Sequence, residues 1–171
     1  LLPMIKNDLF PQFGYYVFSM PVTSLENQIR GVKIWGLPKV VEEIDIWEEG
    51  RDCFTSAKDE QGNTYIKIRV PMDGAPTKFD VSSYLYTRLN DTLLRSQTNF
   101  KATFYVNTFF EKLMLKGKKP DTPFLEINDS PSSRVLRDLE IEEHPFQLRF
   151  AKGMSSCFDL PEKEYESNLT F

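Results

Sequence analysis

Residues 31–39 read Gly31-Val32-Lys33-Ile34-Trp35-Gly36-Leu37-Pro38-Lys39. The stretch sets one lysine directly after a proline in an apolar neighbourhood, with Ile34, Trp35 and Leu37 before it and Val40 and Val41 after it. Pro38 disfavours the helical region for Leu37 and holds it extended, so Lys39 falls where the chain enters a strand. Desolvation penalises the ammonium form of a lysine kept among apolar groups, and the neutral amine is a nucleophile that condenses with carbonyls. An ordinary lysine has a pKa of about 10.4, which leaves roughly one in two thousand neutral at pH 7. A pKa lowered by about 3 to 4 units corresponds to about 4 to 5.5 kcal/mol, a shift that full burial alone can supply. A neighbouring cation is therefore not required, although Lys33 is a candidate for one. On local neighbours alone, a strand-edge lysine whose tip snorkels to water is the competing reading.

Upstream, Phe13 to Val22 is apolar and aromatic and reads as one buried strand ending near Pro21. Thr23-Ser24-Leu25-Glu26 fits a capping box and predicts a short helix or turn over Ser24 to Ile29, broken by Gly31. Downstream, Val40 to Glu48 alternates around Ile44 and Ile46. Arg51 to Ala57 and Thr64 to Val70 flank the polar loop 58–63 and predict a hairpin with one wet face. Phe79 to Tyr86 and Phe100 to Phe110 are further strands, with 87–98 between them read as a polar excursion or helical turn. Lys116 to Pro123 reads as a basic turn and Phe124 to Ile127 as a short strand. Ser130-Pro131-Ser132-Ser133 reads as a helix start leading into Arg134 to Leu139. Glu142 to Pro145 reads as a loop. Phe146, Leu148 and Phe150 alternate with Gln147 and Arg149 as a late strand. The aromatic content of 13%, most of it Phe and Tyr, leans the same way, because these residues favour strands. The expectation is one domain spanning 1–171, mainly β, built as an antiparallel closed or partly closed barrel with one or two short helices.

The 171 residues suffice for a real core, and 40% apolar with 27% charged residues fits a globular chain. A net charge of −4 argues against nucleic acid, and no apolar run is long enough to span a bilayer. Leu1 to Asp8 lacks a basic region followed by an apolar one, so no secretory signal is expected. The two cysteines, Cys53 and Cys157, make no disulfide framework. They read as reduced and buried, which favours the cytoplasm. The sequons at Asn90, Asn128 and Asn168 read as chance matches.

Residues Gly31 to Lys39 resemble the GREIWG-(F/Y)-PK signature of the acetoacetate decarboxylase family. Pro145 to Phe150 followed by Phe158-Asp159-Leu160-Pro161-Glu162-Lys163-Glu164 is similar to that family's closing segment, and Gly14 to Met20 to the strand before its signature. The matches keep their order from about Phe13 to Tyr165. The resemblance implies a cone-like antiparallel β-fold, usually a homo-oligomer, with Lys39 as the Schiff-base nucleophile. It implies Met20 and Leu37 as pocket wall. It departs from the family pattern at Val32-Lys33, where an Arg-Glu pair is usual, at Leu37 in place of an aromatic residue, and at Val40 in place of a second lysine. The family's further pocket Arg and Glu lie upstream of the Gly14 to Met20 strand, a region most of which this chain does not contain, so the expectation is a short member or a chain without its N-terminal part.

Trp35 is read as substrate contact or core packing, and Met20 as pocket wall or core. His144, the sole histidine, sits in an acidic loop and reads as solvated. One histidine and two distant cysteines predict no metal site, and no cofactor is expected. Asp8, Glu42, Glu43 and Asp45 read as solvent-facing, and Lys116, Lys118 and Lys119 as a solvated turn. The function expected is a decarboxylating lyase acting on a small keto acid. Aldol or dehydration chemistry through the same imine is one alternative, and a non-catalytic small-ligand binder of the same fold is the other.

Overall fold

Strand-forming residues dominate what the chain becomes. A computed structural model describes residues 2–4, 12–109, 123–141 and 145–166, and it is mainly β. Strands β1 (Leu2–Met4), β2 (Gln12–Tyr16) and β3 (Met20–Val22) precede helix α1 (Leu25–Trp35). Strands β4 (Lys39–Val41), β5 (Glu43–Glu49), β6 (Asp52–Lys58) and β7 (Thr64–Pro71) lead into two long strands, β8 (Ala75–Leu89) and β9 (Thr92–Thr108). Strand β10 (Leu125–Ile127), a 3₁₀ turn (Pro131–Ser133) running into α2 (Arg134–Asp138), β11 (Gln147–Phe150), β12 (Met154–Phe158) and β13 (Glu162–Glu166) follow. None of the described helices is long and apolar enough to cross a membrane. Contacts divide the chain into two units, Leu1–Val41 with Phe79–Ala102 and Met154–Phe171, and Glu42–Lys78 with Thr103–Gly153.

The first unit contains a β–α–β crossover. β3 and β4 pair in parallel, Met20 opposite Lys39 and Val22 opposite Val41, with α1 as the connection. Ser24 caps the helix by accepting from the Asn27 N–H at 3.2 Å, so the cap falls one residue later than the capping-box pattern predicts. Glu26 is left free to pair with Arg30 one turn on. The helix does not stop at Gly31 but continues to Trp35, and Gly31 is its one buried residue. It ends at Gly36, whose φ of 60° is the left-handed conformation that glycine accepts without a Cβ penalty. β2 runs parallel to β8, Gly14 opposite Tyr84, and β8 is hydrogen-bonded to β9. The far edge of β9 takes β13 at Thr92–Arg95 and β12 at Thr98–Ala102.

The second unit is built on an antiparallel sheet in the order β10-β7-β6-β5. Trp47 of β5 stacks on Phe54 of β6 at 5.3 Å. Arg69 of β7 binds Asp52 at 3.0 Å and lies over the Phe124 ring at 4.6 Å. Buried Tyr65 donates its hydroxyl to Glu42; burial, then the adjacent carboxylate, pushes this phenol's pKa well above its usual value. β11 pairs with residues 105–108 of β9, burying Leu148 and Phe150 and exposing Arg149.

Several expectations hold: the hairpin of β6 and β7, the strand at 125–127, the helical start at Ser130, and within the late strand the burial of Leu148 and Phe150 around exposed Arg149. Phe146, expected to face inward with them, is exposed and precedes β11, and the β7 face of Lys67 and Arg69 is not wet, since Tyr65 on it is buried. Others are corrected. Among the described residues no sheet closes into a barrel, because closure needs the outermost strands to pair and β5 and β10 remain edges of an open sheet. The pairing is not all antiparallel, since β2–β8 and β3–β4 are parallel. Phe13 to Val22 is not one buried strand. It divides into β2 and β3, which pair with different partners, and Tyr15, Tyr16 and Phe18 stay exposed.

Residues 87–98 are not an excursion either. They are the turn of the β8–β9 hairpin and its flanking strand, with Asn90 at φ 54° in the turn. Four of their polar residues, Thr87, Arg95, Ser96 and Thr98, are buried, whereas Arg88, Asn90, Asp91 and Gln97 stay exposed. Thr87 donates to the Trp35 carbonyl, Thr98 donates to the Ser83 carbonyl at 3.1 Å, and Arg95 pairs with Glu162 at 2.8 Å. Both cysteines are free, but neither is buried as expected: Cys53 is half-buried, and Cys157, on β12 at the edge of β9, is exposed. Asp8, Lys116, Lys118, Lys119 and His144 lie outside the described residues.

Candidate functional site

Gly14 to Met20, the Gly31 to Lys39 stretch and the later half of the closing segment, from Phe158 on, lie in the first unit, while Pro145 to Phe150 belongs to the second. Met20, at the end of the upstream match, pairs with Lys39 across the β3–β4 ladder. Trp35 of the signature donates its indole N–H to the Asp159 carbonyl of the closing segment at 2.9 Å. Between them the chain turns tightly. The Leu37 N–H bonds Gly31 O at 3.1 Å, and the Lys39 N–H bonds Leu37 O at 2.8 Å across Pro38, a three-residue turn suited to proline's fixed φ. The Met20 N–H then takes Pro38 O at 3.1 Å. Leu37 is 5% exposed, so this turn is anchored from below.

Lys39 emerges from the turn and lies back along α1. A Cβ at Gly31 would fall 2.6 Å from Lys39 Cε and 2.9 Å from its Nζ, with Cδ closer still. The absent side chain at Gly31 is therefore the groove in which the lysine stem runs. Its Nζ donates to the side-chain carbonyl of Asn27 and reaches Asn27 O at 3.4 Å. Gln28 Nε2 donates to the Lys39 carbonyl at 3.0 Å, fixing the main chain beneath. No carboxylate among the described residues pairs with this amine. Partial burial lowers its pKa from the ordinary lysine value, and desolvation is the cause. Lys58 shows the opposite case: bonding to Glu43, with Asp45 nearby, raises its pKa.

Lys39 and Met20 are therefore neighbours, and Leu37 lies two residues away beneath the turn. Trp35 has its N–H committed to Asp159. Lys33 points to solvent. Glu42, Glu43 and Asp45 belong to the second unit and take Tyr65 and Lys58 as partners. The residues not anticipated are Asn27, Gln28 and Gly31. Asn27 and Gly31 stand one helical turn apart, the i, i+4 relation that puts side chains on one face. That relation is visible in the sequence only if the helix is carried through Gly31.

A separate open cleft of about 420 Å³ lies elsewhere in the first unit, lined by Gly14, Tyr15, Val81, Ser82, Ser83, Tyr84 and Gln97. Lys39 does not line it. Among the described residues no cluster of His, Cys, Asp or Glu could hold a metal ion. No protein family, curated protein or solved structure matches the chain.

Proposed function

We propose that this chain is a cytoplasmic lyase of the acetoacetate decarboxylase type, acting on a small keto acid through a Schiff base on Lys39. The observation that carries the reading is the surroundings of that amine: a partly exposed lysine whose Nζ has the two neutral oxygens of Asn27 as acceptors, and whose pKa is lowered by desolvation. An amine held by neutral acceptors releases its proton more easily than one held by a carboxylate.

The chemistry follows from the neutral amine. Its lone pair adds to the substrate ketone carbon, and loss of water leaves a protonated imine. In a β-keto acid the electron pair of the C–C bond to the carboxylate then moves into the iminium, releasing carbon dioxide and leaving an enamine. Protonation at carbon and hydrolysis return the ketone product and the free lysine. The iminium nitrogen is itself the electron sink, so this route calls for no cofactor. With a 2-keto acid the iminium instead loses a proton from C3 to a base, the C–H electron pair gives an enamine, and that enamine serves aldol or dehydration chemistry. Met20 and Leu37 are the apolar walls beside the amine in this reading, and Trp35 fixes the turn that carries it.

The test is turnover. Acetoacetate should lose carbon dioxide faster with the protein than without it. Borohydride should inactivate the protein only when the keto acid is present, and Lys39→Arg should abolish both effects. Inactivation that proceeds equally without keto acid would sink the reading.

A second reading has its own support. The cleft at Tyr15 and Tyr84 has a volume typical of small-ligand sites, and it stands apart from Lys39. A binder of the same fold would hold a small ligand there without turnover, and Lys39→Arg would leave that binding unchanged.

A further inference from the structure

We infer that Asn27 is the positioning residue of the Lys39 amine: its carbonyl oxygens fix where Nζ points, and its lack of charge keeps that amine reactive. The inference rests on the imine reading above and adds to it the group that acts through Lys39.

Three observations converge on Asn27. The first is the pair of contacts, since both Asn27 Oδ1 and Asn27 O accept from Nζ. One residue thus supplies both described acceptors of the amine. The second is the way Asn27 is itself held. Its N–H is bound by the Ser24 cap at 3.2 Å, so it sits in the first turn of α1, where the backbone is fixed by capping. The third is the groove at Gly31, one turn further along the same face, which brings the lysine stem against the helix. The neighbouring Gln28 secures the Lys39 carbonyl at the other end of the residue. Together these groups clamp the lysine at its main chain, its stem and its tip.

The chemistry of the amide matters as much as its position. A carboxamide oxygen orients the amine through a hydrogen bond while contributing no full negative charge. A carboxylate in the same place would stabilise the ammonium form and hold the lysine protonated. Glu26, next in sequence, is turned away into its pair with Arg30 at 3.0 Å.

The experiment reads the reactivity of Lys39 without any keto acid. The protein and its Asn27→Asp and Asn27→Leu variants are trace-labelled with dinitrofluorobenzene as a function of pH, and the Lys39 peptide is quantified by mass spectrometry. Asn27 is exposed, so both variants are expected to fold, and far-UV circular dichroism checks this. Asn27→Asp should move the labelling midpoint of Lys39 upward by about one pH unit, about a tenfold loss of labelling at neutral pH. Asn27→Leu should move it downward, because the acceptors that favour the ammonium form are reduced. Lys58, bound to its own carboxylates, should not move in either variant. Should Leu fail to fold, the Asp variant decides alone. An unchanged Lys39 midpoint in Asn27→Asp overturns the inference. Borohydride trapping of the parent protein with acetoacetate runs alongside. An unchanged midpoint with a trapped adduct removes Asn27 and leaves the imine. A shifted midpoint with no adduct removes the imine and leaves the Asn27–Lys39 contact.

Discussion

At the scale of single residues, the decisive pair is a glycine and a lysine eight positions apart. Glycine inside a helix costs about 1 kcal/mol relative to alanine, and Gly31 sits in the middle of α1. What it supplies is room for the Lys39 stem. Gly31→Ala therefore separates stability from chemistry. The clashing atoms belong to a flexible side chain, so the lysine swings out and the helix gains its alanine. The melting temperature should hold or rise, while the labelling midpoint of Lys39 climbs toward the ordinary lysine range of about 10.4 and keto-acid trapping is lost. A melting temperature that falls sharply with trapping retained would contradict this account.

The same residue carries a pH signature. The Lys39 pKa is lower in the folded protein than in the unfolded chain. Between the two values the unfolded chain binds more protons, so folding stability rises with pH through that window. Below the folded value, the penalty for charging the amine is fully present. Urea titrations at a series of alkaline pH values should show Lys39→Met flattening that rise.

At the scale of elements, the turn at Ser130 shows how one side chain joins two loops within the second unit. Buried Ser130 caps the 3₁₀ turn, accepting from the Ser132 N–H at 3.3 Å, and donates to Asp59 Oδ2 at 2.8 Å. That bond is the leading cause of the lowered Asp59 pKa, with N–H groups of Asn63 and Gln61 adding to it. Ser130→Ala should cost about 1 kcal/mol in urea unfolding at neutral pH for the lost cap. A lowered carboxylate contributes stability that is present above its unfolded pKa and lost as pH falls through the folded one. The parent's acid unfolding should therefore begin at lower pH than the variant's. Identical acid transitions would show that the hydroxyl does not act on Asp59.

Elements were legible from sequence where one physical rule governed them. The β6–β7 hairpin announced itself by a polar loop between alternating runs, and the Ser130 start by its proline and serines. Two elements hid for identifiable reasons. α1 looked broken because Gly31 reads as a helix stop, and only Lys39, brought back from the following strand, explains why it is not. The hairpin of β8 and β9 looked polar because Thr87, Arg95, Ser96 and Thr98 are buried, against the usual preference of such residues for the surface. For Thr87, Arg95 and Thr98 the described partners are Trp35, Glu162 and Ser83. Those for Thr87 and Arg95 lie 52 and 67 residues away, a distance no local pattern conveys. The candidate site divides the same way. Lys39 stood out through its own neighbours and its resemblance, whereas Asn27 is defined by a tertiary contact alone.

At the scale of the molecule, several large apolar residues among the described ones are exposed. On the β–α–β crossover Leu25 is 61% exposed, and Ile29, Val32, Val40 and Val41 are exposed as well. Leu25, Ile29 and Val32 follow the i, i+4, i+7 spacing of a single helix face. Apolar residues exposed along one helix face suit an interaction surface, and the resemblance implies a homo-oligomer. Light scattering behind size exclusion should give a mass that is a multiple of the 19.9 kDa chain. Ile29→Glu, a charge on that helix face, should shift the population toward monomer. A monodisperse single-chain mass for the parent would contradict the expectation.

The central claim is that one amine is poised to meet a carbonyl, and the most direct measurement is the mass of the peptide that carries it. The protein is incubated with acetoacetate, reduced with borohydride, digested and sequenced by mass spectrometry. Lys39 should carry an isopropyl group, the reduced imine of the decarboxylated product, absent without acetoacetate and absent in Gly31→Ala. An unmodified Lys39 peptide, or modification spread evenly over the surface lysines, would contradict it.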